Sequence, residues 1–293
     1  MEQVFLAPPH YFMIETALAC NLKCPLCAIG GAFTGRTSGI LNYSKFLEII
    51  EKIRPFAKYV QLHIWGEPTL NKDIYKMIQI ISTFAQSNIS THALLLDAQK
   101  CSQLINSGVT DLIVSIDGVS QPVYEKYRVG GDVKTALRNL ALLAHFNQLN
   151  GNNVNIIPQF ILFKHNQHEA EGFAQYCQRI GLTPKFKAPY LRDSNFENSD
   201  YAEYHRPTFR DVESLRVAMK ECNDPRSVFT ILNDGSCVIC CHDYSGKTTF
   251  GNIFESEVLE IWNSQSYLEY RKDVITGNAP QFCVEECQSW TLE

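Results

Sequence analysis

The sequence predicts an α/β fold in which parallel βαβ units form an open or closed barrel, followed by a smaller region of different texture. Two observations lead there. From residue 11 to about 190, six β-rich runs alternate with amphipathic helical stretches, and such alternation builds parallel sheets rather than sandwiches. Past a polar, aperiodic stretch at Pro189–Arg206, a linker or long loop, the pattern becomes a hairpin, a helix and a cysteine-bearing tail. With 293 residues, 45% of them hydrophobic, the chain can bury a sizeable core as one large domain or two ordinary ones.

The expected strands are Phe12–Ala17, Tyr59–Ile64, Ser90–Leu95, Asp111–Ile116, Val154–Leu162 and Lys185–Ala188. Between them, Ser44–Ile53, Lys72–Ala85, Gln99–Ser107, Val133–Phe146 and His168–Ile180 carry apolar residues at three-to-four spacing, which predicts helices. Asn42 or Ser44 and Asp97 are suited to cap two of them. Further on, Ser227–Leu232 and Ser236–Cys241 read as a hairpin turning at Asp234-Gly235, followed by a helix from Ser256 to Asp273. The boundary falls near residue 205, giving regions 1–205 and 206–293. In barrels of this kind, reactive residues collect at the C-terminal ends of the strands.

Several function classes are excluded early. The 26 basic and 31 acidic residues give a net charge of −5, which argues against nucleic-acid binding through bulk electrostatics. It favours a cationic or neutral substrate only slightly. No apolar run reaches the roughly 18 residues of a membrane span, and the N-terminus lacks a basic segment followed by an apolar one. A cytoplasmic protein is expected. There, eleven cysteines point to metals or redox chemistry rather than disulfides. They gather at the two ends of the chain, with Cys101 and Cys177 alone between, so two metal sites are expected.

Cys20-x3-Cys24-x2-Cys27 directly follows the first expected strand. Three thiolates on one loop can hold three irons of a cubane and leave the fourth iron open for chemistry, whereas a zinc site needs a fourth ligand that is not seen nearby. With this spacing the chain resembles the radical S-adenosylmethionine (radical SAM) enzymes. In that family the three cysteines hold a [4Fe–4S] cluster whose free iron chelates the methionine part of SAM. Other motifs of the family recur in order. After the second strand comes Trp65-Gly66-Glu67-Pro68, similar to the family's G-E-P motif; Gly66 would let the backbone approach closely and Glu67 would accept from the SAM ammonium. After the fourth comes Ser115-Ile116-Asp117-Gly118, where Ser115 and Asp117 would offer oxygens to the SAM carboxylate or ribose. Arg128 is a candidate partner for the carboxylate, or simply a surface cation, and Gln159, Asn166 and Glu169 are weaker matches. The residue before the third cysteine, commonly aromatic in the family, is Leu26, which weakens the expected contact over adenine.

The tail, Cys222-x12-Gly235-x4-Cys240 and then Cys283-x3-Cys287, resembles the SPASM extension of these enzymes in its shortened "twitch" form. The resemblance implies a partial (β/α)6 barrel followed by a small α+β SPASM/twitch domain. It also implies an auxiliary [4Fe–4S] cluster closed by Cys222, Cys240, Cys283 and Cys287, with a structural zinc on the same thiols as the alternative. Cys241 would be the competing ligand, Cys237 a packing residue, and His242 a polar surface residue or a metal ligand. The implied chemistry is reductive cleavage of SAM to a 5′-deoxyadenosyl radical that abstracts a substrate hydrogen. A closed second cluster suggests an electron acceptor and hence two-electron oxidation: alcohol dehydrogenation, as in the related amino-sugar dehydrogenases, or peptide crosslinking. Lys187 and Arg192 are candidate bases. A redox-neutral peptide epimerase is the alternative, with Cys241, Cys237 or Cys177 returning the hydrogen atom, and a non-catalytic iron–sulfur or zinc module is the third reading. The expected partners are SAM, a peptide or small hydroxylated metabolite, and a reductant such as flavodoxin or ferredoxin. Only 19 residues precede Cys20, so a peptide substrate is expected to need a separate recognition protein or direct docking at the barrel mouth.

Overall fold

The computed structural model describes residues 7–191 and 195–287, together with the backbone of residues 291 and 292. Six parallel strands succeed one another in chain order across one sheet: Tyr11–Ile14, Tyr59–Gln61, Gln86–Thr91, Asp111–Ser115, Asn155–Ile161 and Lys185–Lys187. Each inter-strand connection up to the sixth strand carries helix. The helices Tyr43–Ile53 and Ile74–Ile81 bury Phe46, Ile49, Ile50 and Ile53, and Ile74, Met77, Ile78 and Ile81. These are the one-sided stripes that the three-to-four spacing requires. Asn42 and Asp97 cap their helices, accepting from the backbone N–H of Ser44 and of Lys100, both at 2.8 Å.

Along the strands, alternate residues face opposite sides. Leu112, Val114 and Phe160 are fully buried in the main core, while Ile113, Ser115, Gln159 and Ile161 line an interior cavity. The register aligns Met13 with Gln61, Ser115 with Gln159, and Ile161 with Lys187. The polar lining residues therefore come together as neighbours.

Two expectations are corrected. The third strand covers Gln86–Thr91 rather than Ser90–Leu95. The apolar run that suggested the later position is a turn instead: Ala93 takes a φ of 61°, and the Asn139 amide donates to the carbonyls of Ala93 and Leu96 at 2.7 and 2.8 Å. The single helix expected over Ser256–Asp273 is two, Val258–Trp262 and Gln265–Thr276, because Ser264 caps a fresh start by accepting from the Tyr267 N–H.

The tail joins the barrel sheet. Its hairpin, Val228–Ile231 with Cys237–Val238, turns at Gly235 (φ 88°) as expected. Val228–Ile231 pairs in parallel with Tyr11–Ile14, so that one eight-stranded sheet runs from Cys237–Val238 to Lys185–Lys187. The junction is tied by an ion pair: Arg36 grips Glu15 through both nitrogens (2.8 and 3.3 Å) and donates to Asn233 Oδ1 at 2.6 Å. Lys52, on the first barrel helix, also donates to the carbonyls of Ile253 and Ser256.

Candidate active site

Cys20, Cys24 and Cys27 lie on the loop after the first strand. The loop is anchored by the Lys23 N–H donating to the Val129 carbonyl (3.0 Å) and by a tight turn from Cys24 to Cys27 (3.1 Å). Burial pushes the thiol of Cys20 up to about 12 and that of Cys24 up to about 11, so a metal must displace protons to bind there. All three line a cavity of about 470 Å³ at the C-terminal ends of the strands.

Gly66, Glu67, Ser115, Arg128, Gln159, Lys187 and Cys241 line the same cavity. A Cβ on Gly66 would sit 2.0 Å from the Ala17 carbonyl oxygen, so only glycine lets the second strand's loop press against the first. Glu67 is buried and already engaged: it accepts from Thr69 Oγ1 (2.6 Å), Thr91 Oγ1 (2.7 Å) and the His92 N–H (3.0 Å). That makes it a strut between loops more than an open acceptor. Asp117 lies one layer behind the wall. Its carboxylate accepts from Arg128 Nε and from the Ile161 N–H, each at 2.6 Å, so what it presents to the cavity is the Arg128 guanidinium, 3.9 Å from Cys24 Sγ. Asn166 and Glu169 brace this loop. The Asn166 amide donates to the Asp117 carbonyl at 3.1 Å, and Glu169 accepts from Ser120 and from the Val119 N–H.

Lys187 ends the sixth strand. Its side chain is solvent-accessible within the cavity, where the surrounding protein, followed by the like charge of Arg206, lowers its pKa. Arg192 lies outside the described residues.

The second cysteine set lies around a separate cavity. Cys222, Cys240, Cys283 and Cys287 line one cavity of about 250 Å³ with Met219, Ile239, Val274 and Phe282. Cys283 and Cys287, four apart, are a helical turn from each other, with the Cys287 N–H donating to the Cys283 carbonyl. Cys240 faces this second cavity whereas Cys241 faces the first, and His242 borders both. Cys237, Cys177 and Cys101 are fully buried core residues. None of the eleven cysteines forms a disulfide.

Sequence reasoning passed over His63, Trp65, Tyr127 and Arg206 as cavity residues, and Asp224 in the second cavity. His63 is legible in retrospect as the next inward position after Gln61. Tyr127, which packs with Leu26 and Phe163, brings an aromatic ring to the cavity wall beside Leu26.

Three soft thiolate donors opening into a polar cavity suit an iron–sulfur cluster with one exchangeable iron. Comparison with known proteins agrees with the cluster: the profile of the radical SAM superfamily matches residues 14–176, more than half of the sequence. The chain belongs to the radical SAM superfamily. A second profile, the SPASM iron–sulfur cluster-binding domain, matches residues 222–288. This radical SAM protein is thus an enzyme that uses SAM and [4Fe–4S] clusters, the SPASM region bringing an auxiliary one.

Among its relatives is the tungsten-containing aldehyde ferredoxin oxidoreductase cofactor-modifying protein of Pyrococcus furiosus, 23% identical, with the match covering 89% of this chain and 83% of the relative. Another is the mycofactocin maturase MftC of Mycobacterium ulcerans, 24% identical over 68% of this chain and about half (52%) of the relative. Solved structures share the fold. BtrN in complex with AdoMet and 2-DOIA superposes with a TM-score of 0.61 at 16% identity, over 94% of this chain and 90% of that one. Streptococcus suis SuiB bound to its precursor peptide SuiA gives 0.71 at 13% identity, over 99% and 76%. No helix among the described residues is long and apolar enough to cross a membrane.

Proposed function

We propose that this radical SAM enzyme carries out a two-electron oxidation of a peptide or small hydroxylated metabolite, with the electron leaving by way of the SPASM region. The observation that carries this reading is the second cavity. Four thiols from three separate segments surround a largely apolar space, a donor set that closes a site and leaves no position for substrate. Cys20, Cys24 and Cys27 would hold the catalytic cluster. Cys222, Cys240, Cys283 and Cys287 would hold the auxiliary one.

When bound, the catalytic cluster with SAM supplies the electron that cleaves SAM and the radical that removes a substrate hydrogen. The chain's own residues supply geometry. Arg128, held by Asp117, binds a carboxylate of SAM beside Cys24. Ser115 and Gln159, aligned across adjacent strands, hydrogen-bond polar groups of the bound molecule. His63, which burial above all and then Lys187 lower to about 3, stays uncharged on the wall. Trp65 donates to the Cys241 carbonyl at 2.6 Å and fixes the segment between the two cavities. A one-electron reductant such as flavodoxin or ferredoxin completes the cycle, and a cytoplasmic setting keeps the thiols reduced. The substrate class draws on the relatives whose structures hold 2-DOIA or a precursor peptide.

A second reading, redox-neutral epimerisation, is favoured by one observation: of the three spare thiols Cys241, Cys237 and Cys177, Cys241 alone lines the catalytic cavity. Turnover in deuterated solvent separates the two. A product two hydrogens lighter, with no deuterium at carbon, supports oxidation; a product of unchanged redox state carrying one solvent deuterium supports epimerisation through Cys241.

A further inference from the structure

We infer that the catalytic cavity contains an anion-binding subsite, formed by Lys187 and Arg206, that anchors a carboxylate or phosphate group of the substrate. The inference rests on the radical SAM reading above and narrows its substrate class.

Both cations line the cavity, and both belong to the same lip of it. Lys187 is the last residue of the sixth strand. Arg206 returns across the residues that follow: its Nε donates to the Pro189 carbonyl at 3.0 Å and its Nη2 to the Ala188 carbonyl at 3.4 Å. The guanidinium is therefore held in place by backbone, with donor capacity left over.

Among the described residues neither cation is in an ion pair. Among the described residues, the acidic side chains at the cavity wall are committed elsewhere. Glu67 is taken by Thr69, Thr91 and the His92 backbone, and Asp117 by Arg128. Arg128 is thus neutralised while Lys187 and Arg206 are not, in a chain whose net charge is −5.

Burial disfavours both charges, and their mutual repulsion adds to the burden on Lys187. Two like charges held in one cavity repel each other, and an anion received between them offsets that repulsion through charge-assisted hydrogen bonds. SAM has its own carboxylate partner in Arg128 beside Cys24, which leaves the second anion to the substrate. Lys187 is then an anchor rather than the base expected from the sequence, because a bound anion raises its pKa and withholds its lone pair.

The test is anaerobic calorimetric titration of the reconstituted holoenzyme, saturated with SAM, using inorganic phosphate and, separately, acetate. Binding of one anion per chain is expected, weakened about tenfold by Lys187→Met and about tenfold by Arg206→Gln, as befits loss of one charge-assisted bond. Lys185→Met, on the same strand but outside the cavity lining, leaves binding unchanged and controls for bulk charge. Iron content of each variant verifies that it has folded. A preference for phosphate assigns a phosphoryl group, and a preference for acetate a carboxylate. No binding by the SAM-saturated wild type, or binding indifferent to both cavity variants, overturns the subsite. Product mass is read separately, so an enzyme that binds the anion through these residues yet yields a redox-neutral product fails the oxidase reading alone.

Discussion

The two cysteine sites of this protein are built in opposite ways. The first takes three thiols from eight consecutive residues, Cys20 to Cys27, on one loop over a polar cavity of about 470 Å³. The second gathers four thiols from a turn, a strand end and a helix, Cys222, Cys240, Cys283 and Cys287, around a cavity of about 250 Å³ with Met219, Ile239, Val274 and Phe282 in its walls. A local loop can grip a metal while leaving one side open, which is what chemistry at the metal requires. A site assembled from distant segments surrounds its contents, and it exists only once the fold has closed. Openness here follows from sequence locality.

The largest expected effect breaks the first site and spares the second. Replacing Cys20, Cys24 and Cys27 together by Ala should lower the iron of anaerobically reconstituted protein from about eight to about four per chain. The same variant should abolish 5′-deoxyadenosine formation. Next, Cys240→Ser should remove the auxiliary iron, whereas Cys241→Ser should retain it, since the two side chains face different cavities. Equal iron loss in both variants would undo the division between them.

Gly66→Ala drives a methyl into the Ala17 carbonyl, where backbone cannot yield. A loss of about 3 kcal/mol, at the upper end for overpacking, should appear in denaturant unfolding together with weakened SAM binding. Arg36→Met leaves Glu15 buried without its partner at the junction of the two regions. A loss of about 3 kcal/mol is expected, read from the urea midpoint. The smallest effect concerns His63. Its folded-state pKa, about 3, lies below the ordinary 6.5, so the unfolded chain binds the extra proton. Stability from this group is full above pH 6.5 and declines as pH falls toward 3. His63→Gln should flatten that decline between pH 6.5 and 5.

The catalytic loop was legible because its chemistry is written in contiguous residues, and the neighbouring motifs because each directly follows a strand. The cavity wall was harder to read. His63 and Tyr127 look like ordinary strand-end and helix-end residues until the register brings them round. Asp117 and Glu67 carry the motif letters, yet their oxygens are spent on Arg128, Thr69 and Thr91. The pairing of Val228–Ile231 with Tyr11–Ile14 was invisible for a different reason. Parallel pairing between distant strands leaves no periodic mark in either segment, only two short β-rich runs.

That pairing sets a timetable for synthesis. Tyr11–Ile14 is made before its partner, and its outer edge stays bare until Val228–Ile231 appears more than two hundred residues later. At a ribosomal pace of about 5–20 residues per second, the wait is roughly 10–40 s. Throughout it, a nascent barrel exposes the kind of unpaired strand edge that invites aggregation. Chains stalled or truncated before residue 228 are therefore the form of this protein most in need of a chaperone.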